Sequence, residues 1–328
     1  MSLKINAFIE EFPIRGAFVI SRERRTVQVV VRVTLDDGEI HGQGECVPYR
    51  HYGETPEGVV ADILKLSDAI SKGMTRAELQ NTLPAGAARN GIDCALWDYE
   101  AKKSGRPAWQ IAGLSEPKPV ASVQTISLGA PEVMFEHTKR LADWPMLKIK
   151  LGGDGDDERI KAVHEAAPRA KLIADANEAW RPDIYEKNLD ACLATNSVVM
   201  IEQPFPAAHD DMLGSLPRPI PVCADESLHD RHTLVALKGR YDVVNIKLDK
   251  AGGLTEALLL KQEARRQGFK IFVGSMVATS LAIAPALLLA QDVDFVDLDP
   301  PLLLEKDREN PIMFQHDRAF PASSALWG

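Results

Sequence analysis

The chain has 328 residues, 45% of them hydrophobic and 26% charged, with a formal net charge of −9. This is ordinary globular composition, long enough for an α/β barrel of roughly 250 residues beside a smaller domain, and it excludes disordered and fibrous proteins. The acidic balance argues against nucleic acid as a partner, because phosphates call for clustered Lys and Arg on one face.

The first residues, MSLKINAFIEEF, hold no apolar core of signal-peptide type, so no export is expected and the location expected is cytoplasmic. Up to about Pro48 the pattern is strand-like: KINAFIEEF, then TVQVVVRVTL, then a turn at Asp36-Asp37-Gly38-Glu39 and a return run. Glycine supplies the positive φ that such a turn needs. The loop after the first strand reads Ser21-Arg22-Glu23-Arg24-Arg25, which by composition is a solvated face. The loop Arg50 to Glu54 is placed to close over a site and exclude water. From Thr55 to about Gly105 the period is helical, with Val59, Ile63, Leu66 and Ile70 on one face. Strands followed by helices make a small α+β domain, expected to span residues 1–117.

After Glu116-Pro117-Lys118-Pro119 strands and helices alternate. Eight candidate strands follow: ASVQTI, MLKIKL, KLIADA, VVMIEQ, PVCADE, VVNIKL, KIFVGS and FVDLD. Eight parallel strands close a barrel, expected over 118–300. The apolar stretch Leu281 to Ala290 is too short to span a bilayer and contains Pro285, so no membrane association is expected. The segment 301–328 is proline-rich and is expected to pack back on the first domain. Cys46, Cys94, Cys192 and Cys223 are far apart and form no Cys-x-x-Cys, so they read as buried thiols.

Charges recur at the strand ends, roughly 25 residues apart, which is one β/α unit. Lys150, Asp175, Glu202, Asp225 and Lys247 form this ladder. Three carboxylates without His or Cys make a hard, all-oxygen site that suits Mg²⁺, with room left for substrate oxygens and water. Lys148 and Lys150 point to the same side of their strand, and a second ammonium nearby disfavours protonation of Lys150, which makes it a usable base. Lys247 lies on the opposite wall, where Asp249, two residues on, is expected to hold it. Thr125, Ser275 and Met276 are expected to line the pocket. Asp297 and Asp299 share a face and suit a cation. The acids from Asp154 to Glu158 lack EF-hand spacing and read as the start of a helix, where the dipole favours them.

The segments LKIKL, IADAN, IEQP, ADES and NIKLDKAGG resemble the motifs of the enolase superfamily, in particular its muconate-lactonizing-enzyme subgroup. The resemblance runs from the N-terminal sheet to Asp299. It implies an α+β capping domain on a modified TIM barrel, (β/α)₇β, and Mg²⁺-assisted removal of a proton α to a carboxylate. In that scheme Asp175, Glu202 and Asp225 hold the metal, Lys150 and Lys247 are the two bases, and Lys148 helps to stabilise an enediolate. Asp297-Leu298-Asp299 resembles the signature by which dipeptide epimerases receive a free ammonium. PAGAARNGIDCALWD and LKGRYDVVNIKLDKAGGLTEAL are similar to stretches of bacterial L-Ala-D/L-Glu epimerases, which process muropeptide fragments of the cell wall. That likeness implies an arginine in the loop after the first strand that meets the glutamate carboxylate: Arg25, with Arg24 as the alternative. Another enolising activity is kept as the alternative: N-acyl amino acid racemase, cycloisomerase or o-succinylbenzoate synthase. The partner expected is a small dipeptide, and the oligomeric state stays open.

Overall fold

The computed structural model describes residues 2–328. Three long antiparallel strands open the chain: β1 (Lys4–Ile20), β2 (Glu23–Asp36) and β3 (His41–Cys46). The β-branched run in β2 is buried on both faces. Val31, Val33 and Leu35 pack on Val59, Ile63, Ile70 and Leu79 of the helices that follow. Val30 points the other way, toward Val47, Tyr49, Met276 and Ala278 at the barrel mouth. The β2–β3 turn forms as its sequence predicts: Gly38 has φ +92°, and Asp37 Oδ1 accepts from the backbone of Glu39 and Ile40. The helix Ala87–Ser104 lies across this sheet, and Gly42 and Gly44 of β3 let it approach closely. A Cβ on Gly42 would strike Tyr99 and Ala95, and one on Gly44 would strike Gly91 and Ala95.

A short strand, β4 (Val120–Ala121), leads into the barrel. Its staves are β5 (Gln124–Ile126), β6 (Met146–Lys150), β7 (Lys171–Asp175), β8 (Val198–Glu202), β9 (Val222–Ala224), β10 (Val243–Ile246), β11 (Lys270–Gly274) and β12 (Phe295–Asp297). They pair in parallel in chain order, and Val123 N donates to Val296 O at 2.9 Å, bringing the first and last staves together. Inward residues Ile173, Met200, Cys223, Val243 and Phe272 fill the lower lumen, so the barrel is a packed core with its open end at the strand C-termini. Outward residues such as Leu147, Ile149, Leu172, Ile201 and Val244 join the surrounding helices in the largest apolar cluster.

One connection departs from the expected helix per unit. Between β8 and β9 the chain makes only the 3₁₀ turns Ala207–His209 and Asp211–Gly214. The segment carries Pro204, Pro206, Pro217, Pro219 and Pro221, whose missing N–H groups deny a longer helix its hydrogen bonds. The helix Ser280–Leu289 keeps Pro285 and is buried throughout. Among the described residues no helix is long and apolar enough to cross a membrane. All four cysteines are free and buried.

The last segment forms β13 (Phe314–Gln315) and β14 (Arg318–Ala319), and β14 pairs with β4. It also reaches the N-terminal sheet and helix. Arg308 bridges Glu10 and Glu45, Gln43 Nε2 donates to Leu326 O, and Trp327 Nε1 donates to Cys94 O.

Candidate active site

The ladder residues meet at the open end of the barrel because each lies at, or one residue past, the C-terminus of its strand. Lys150 and Asp175 are register partners, as are Asp175 and Glu202. Asp225 follows β9 by one residue, and Lys247 follows β10 by one. β6 and β10 are four staves apart in a ring of eight, so Lys150 and Lys247 face each other across the mouth. The cleft there is lined by Lys148, Lys150, Asp225, Lys247, Asp297 and Asp299, with Thr125, Ser275 and Met276 beside them. Its roof is Phe18, Ile20, Arg22, Arg25, Tyr49 and Tyr52. Asp175 and Glu202 lie beneath the floor, fully buried.

Each lysine is anchored on an acid. Lys148 Nζ lies 3.0 Å from Asp175 Oδ2, 2.8 Å from Glu202 Oε2 and 2.9 Å from Asp297 Oδ2. Lys150 Nζ lies 2.6 Å from the same oxygen of Asp175. On the other wall Lys247 Nζ lies 2.6 Å from Asp225 Oδ2, while Lys250 Nζ lies 2.5 Å from Asp225 Oδ1 and donates to the Asn245 carbonyl at 3.1 Å. Asn245 Nδ2 in turn donates to Glu202 Oε1 at 2.8 Å.

Burial opposes charge on every one of these groups, and the number of opposite neighbours decides the outcome. At Asp175 burial is outweighed by Lys148 and Lys150, which hold the carboxyl down to about 2. At Asp225 it is outweighed by Lys247 and Lys250, so that carboxyl stays well below its usual range. Glu202 has less help: burial and the adjacent Asp175 push it up to about 8 despite Lys148. Burial, then Asp297 beside it, raises Asp299 well above the carboxylate range, although Thr125 N donates to its Oδ2 at 2.7 Å. Lys247 is raised because its burial is outweighed by Asp225 together with Glu202 and Glu226.

The acids fit a hard cation by chemistry. They offer oxygen alone, two of them are register partners, and the ammonium of Lys148 already touches both. As the side chains stand, among the described residues no three His, Cys, Asp or Glu groups are gathered closely enough to hold a metal ion. Lysines take the carboxylate oxygens.

Two expectations from the sequence are corrected. Asp249 does not hold Lys247. The strand ends at Ile246, so alternation stops there, and Asp249 turns to accept from Val47 N at 2.9 Å and Asn90 Nδ2 at 2.8 Å. Arg24 does not reach the cleft. The turn between β1 and β2 is only Ser21-Arg22, since Ile20 pairs with Glu23, and this puts Arg24 on β2 with its side chain exposed. Arg25 is opposite Phe18 on the cleft side, and its Nε is buried without a hydrogen-bond partner.

Arg22, at the turn tip, is the residue that the sequence did not single out. It donates to Asn177 O at 2.9 Å, Glu178 Oε2 at 3.1 Å and Glu226 Oε1 at 2.5 Å, tying the roof to the loops after β7 and β9. His51, in the 3₁₀ turn Arg50–Tyr52, adds a second tie to Glu178 at 2.9 Å. Lys250 and Glu226 were also passed over, although both stand inside the motifs NIKLDKAGG and ADES. Lys250 lies three residues beyond Lys247, the spacing that returns to one face of a helical turn.

Two opposed lysines over a row of buried acids, at the mouth of a capped eight-stranded barrel, define a barrel enzyme. Residues 134–318 match the family described as Enolase C-terminal domain-like, and residues 4–113 match the Mandelate racemase / muconate lactonizing enzyme, N-terminal domain. The chain belongs to the mandelate racemase and muconate lactonizing enzyme family of the enolase superfamily. It is 46% identical over 312 residues to the L-Ala-D/L-Glu epimerase of Escherichia coli K12, covering 94% of this chain and 97% of that one. It is 43% identical over 301 residues to the N-acetyl-D-glutamate racemase of a Pseudoalteromonas species, covering 91% and 95%. Among solved structures it is similar to an enolase family member from Agrobacterium tumefaciens with homology to dipeptide epimerases, crystallised with sodium and L-Ala-L-Glu. The TM-score is 0.97 and the identity 48%, over 99% of this chain and 100% of that one. The protein is accordingly an isomerase.

Proposed function

We propose that the protein epimerises dipeptides, with L-Ala-D/L-Glu as the preferred pair, by moving a proton between the two faces of the C-terminal residue's α-carbon. The observation that carries this reading is the buried pair Asp297 and Asp299 in the cleft wall. Burial and the adjacent Asp297 push the Asp299 carboxyl well above its usual range, and an ammonium arriving there would favour its ionised form. A dipeptide supplies that ammonium. At the other end of the cleft the unpartnered Nε of Arg25 is a donor suited to a side-chain carboxylate.

Between these anchors the α-carbon lies between Lys150 and Lys247. One lysine, neutral, removes the proton; the other, as ammonium, returns one to the opposite face. Asp175 and Asp225 orient the two amines, and Lys148 holds positive charge beside the reacting carboxylate. A Mg²⁺ ion, held by Asp175, Glu202 and Asp225, would act as a Lewis acid on that carboxylate. The roof closed by Arg22 and His51 keeps water from the reaction.

The test is direct. With Mg²⁺ in D₂O, L-Ala-L-Glu should lose its glutamate α-proton signal and yield L-Ala-D-Glu, and chelation should cut the rate at least about 100-fold, reversibly. Failure to exchange any of a dipeptide panel would defeat the reading. Arg25→Met should raise KM for L-Ala-L-Glu about 30-fold, roughly 2 kcal/mol, while leaving L-Ala-L-Leu within about twofold. Equal losses on both substrates would remove Arg25 from the side-chain pocket.

The likeness to an N-acetyl-D-glutamate racemase supports a second reading. N-acetylglutamate keeps the glutamate and its amide but lacks the ammonium, so a preference for it would leave Asp297 and Asp299 with no substrate group to bind.

A further inference from the structure

Lys150 and Lys247 are fixed in different ways. Lys150 lies inside a ladder: its strand is paired on both sides, to β5 and β7, and the residue itself pairs with Asp175. Lys247 has left its strand and starts the short helix Leu248–Ala251, so barrel pairing does not set its backbone.

That helix is gripped by the cap. Along Ala87–Ser104 the residues Arg89, Asn90, Asp93 and Trp97 recur at helical spacing on the face toward it. Arg89, 6% exposed, donates to Gly252 O at 3.1 Å and Ala251 O at 2.7 Å, satisfying the C-terminal carbonyls of the short helix. Asn90, 2% exposed, donates to Asp249 Oδ1 at 2.8 Å. Asp93, fully buried, accepts from Thr255 N at 2.9 Å at the start of the next helix, and Trp97 Nε1 donates to Thr255 Oγ1 at 3.0 Å. The approach is so close that only glycine fits beneath it. Gly252 and Gly253 have φ +79° and +114°, and a Cβ on either would collide with Arg89 or Asp93.

We infer that the cap helix is a positioning element for one of the two bases: Arg89, Asn90 and Asp93 hold the segment Asp249 to Thr255 that follows Lys247 and so set its backbone, while the backbone of Lys150 is set by barrel pairing. The inference rests on the assignment of Lys150 and Lys247 as the two bases. It predicts an effect confined to one face of the α-carbon, which a merely structural role would not produce.

The experiment compares two single-base enzymes. In Lys150→Ala only Lys247 is left to exchange the α-proton of one epimer; in Lys247→Ala only Lys150 is left, for the other. Adding Asn90→Asp, which replaces the amide donor to Asp249 with a carboxyl at nearly the same volume, should lower exchange at least about 10-fold in the first background and under about twofold in the second. Equal losses in both, or no loss in either, would overturn the inference. Asn90→Ala gives a second break of the same contact. Amide hydrogen exchange supplies a readout that needs no turnover. In the full-length Asn90→Asp protein, residues 244–253 should exchange faster and residues 146–151 unchanged; equal protection of 244–253 in variant and parent would refute the proposal. Wild-type protein that exchanges neither epimer of any dipeptide would instead refute the proposed function.

Discussion

Lys150→Ala and Lys247→Ala are each expected to lose epimerisation by about 10³-fold or more while still exchanging the α-proton of one epimer with solvent. Removing a positioned acid or base costs roughly 10² to 10⁴ in rate, and a two-base reaction needs both groups in every turnover. Exchange on one face needs only one. The fold should survive both changes, because neither leaves a buried carboxylate alone: Asp175 retains Lys148, and Asp225 retains Lys250. Proton NMR in D₂O reads loss of the α-signal from each epimer separately, and chromatography of the epimers reads net conversion. Near wild-type conversion by either variant would sink the two-base scheme, and exchange of the same epimer by both would place the lysines on one side.

The second large effect is expected from the acid pair. Asp297→Asn and Asp299→Asn should each lower kcat/KM for L-Ala-L-Glu about 10²-fold to 10³-fold, roughly 3 to 4 kcal/mol, since the substrate ammonium would lose one of the two acids that meet it in a buried wall. The same variants should leave N-acetyl-L-glutamate unchanged or improved, because that substrate has no positive charge to place there. Lys148 keeps Asp175 and Glu202 when Asp297 is neutralised, so the floor of the site stays paired. Parallel measurement of both substrates decides between the two readings. If wild-type enzyme preferred N-acetylglutamate, and both variants lost it in step with the dipeptide, the ammonium role would fall.

Much of this was legible in the sequence for a physical reason. Six of the eight staves are short apolar runs with a charge at the end or one residue past it, and a residue at the end of a buried parallel strand has only the barrel mouth to enter. That logic locates Lys150, Asp175, Glu202 and Asp225 without coordinates. It fails where a strand stops. Alternation placed Asp249 beside Lys247, but the chain had already turned into a helix, where a spacing of three, not two, returns to the same face, and Lys250 occupies that place. It fails also where a turn has no chemical marker. Ser21-Arg22 makes a two-residue hairpin without the glycine or asparagine that announces one, so the tip arginine and the strand arginines could not be told apart. Nor could the sequence show which acids would be charged, since that depends on how many ammonium groups each buried carboxylate meets. Asp175 meets two and Glu202 one.

The close fit of Arg89 over Gly252 and Asp93 over Gly253 bears on how such chains exchange their parts. The proline-rich link at residues 116–119 looks like a natural crossover point, with a self-contained sheet and helix on one side and a complete barrel on the other. A hybrid joined there would inherit two halves of a lock cut by different makers. A barrel with any larger side chain at 252 or 253 would hold a foreign cap away, and a cap without Arg89 would leave the Ala251 and Gly252 carbonyls without their donor. Recombination between relatives is therefore expected to yield working hybrids only when the cap helix and this loop travel together, which links residues more than 150 positions apart into one unit of inheritance.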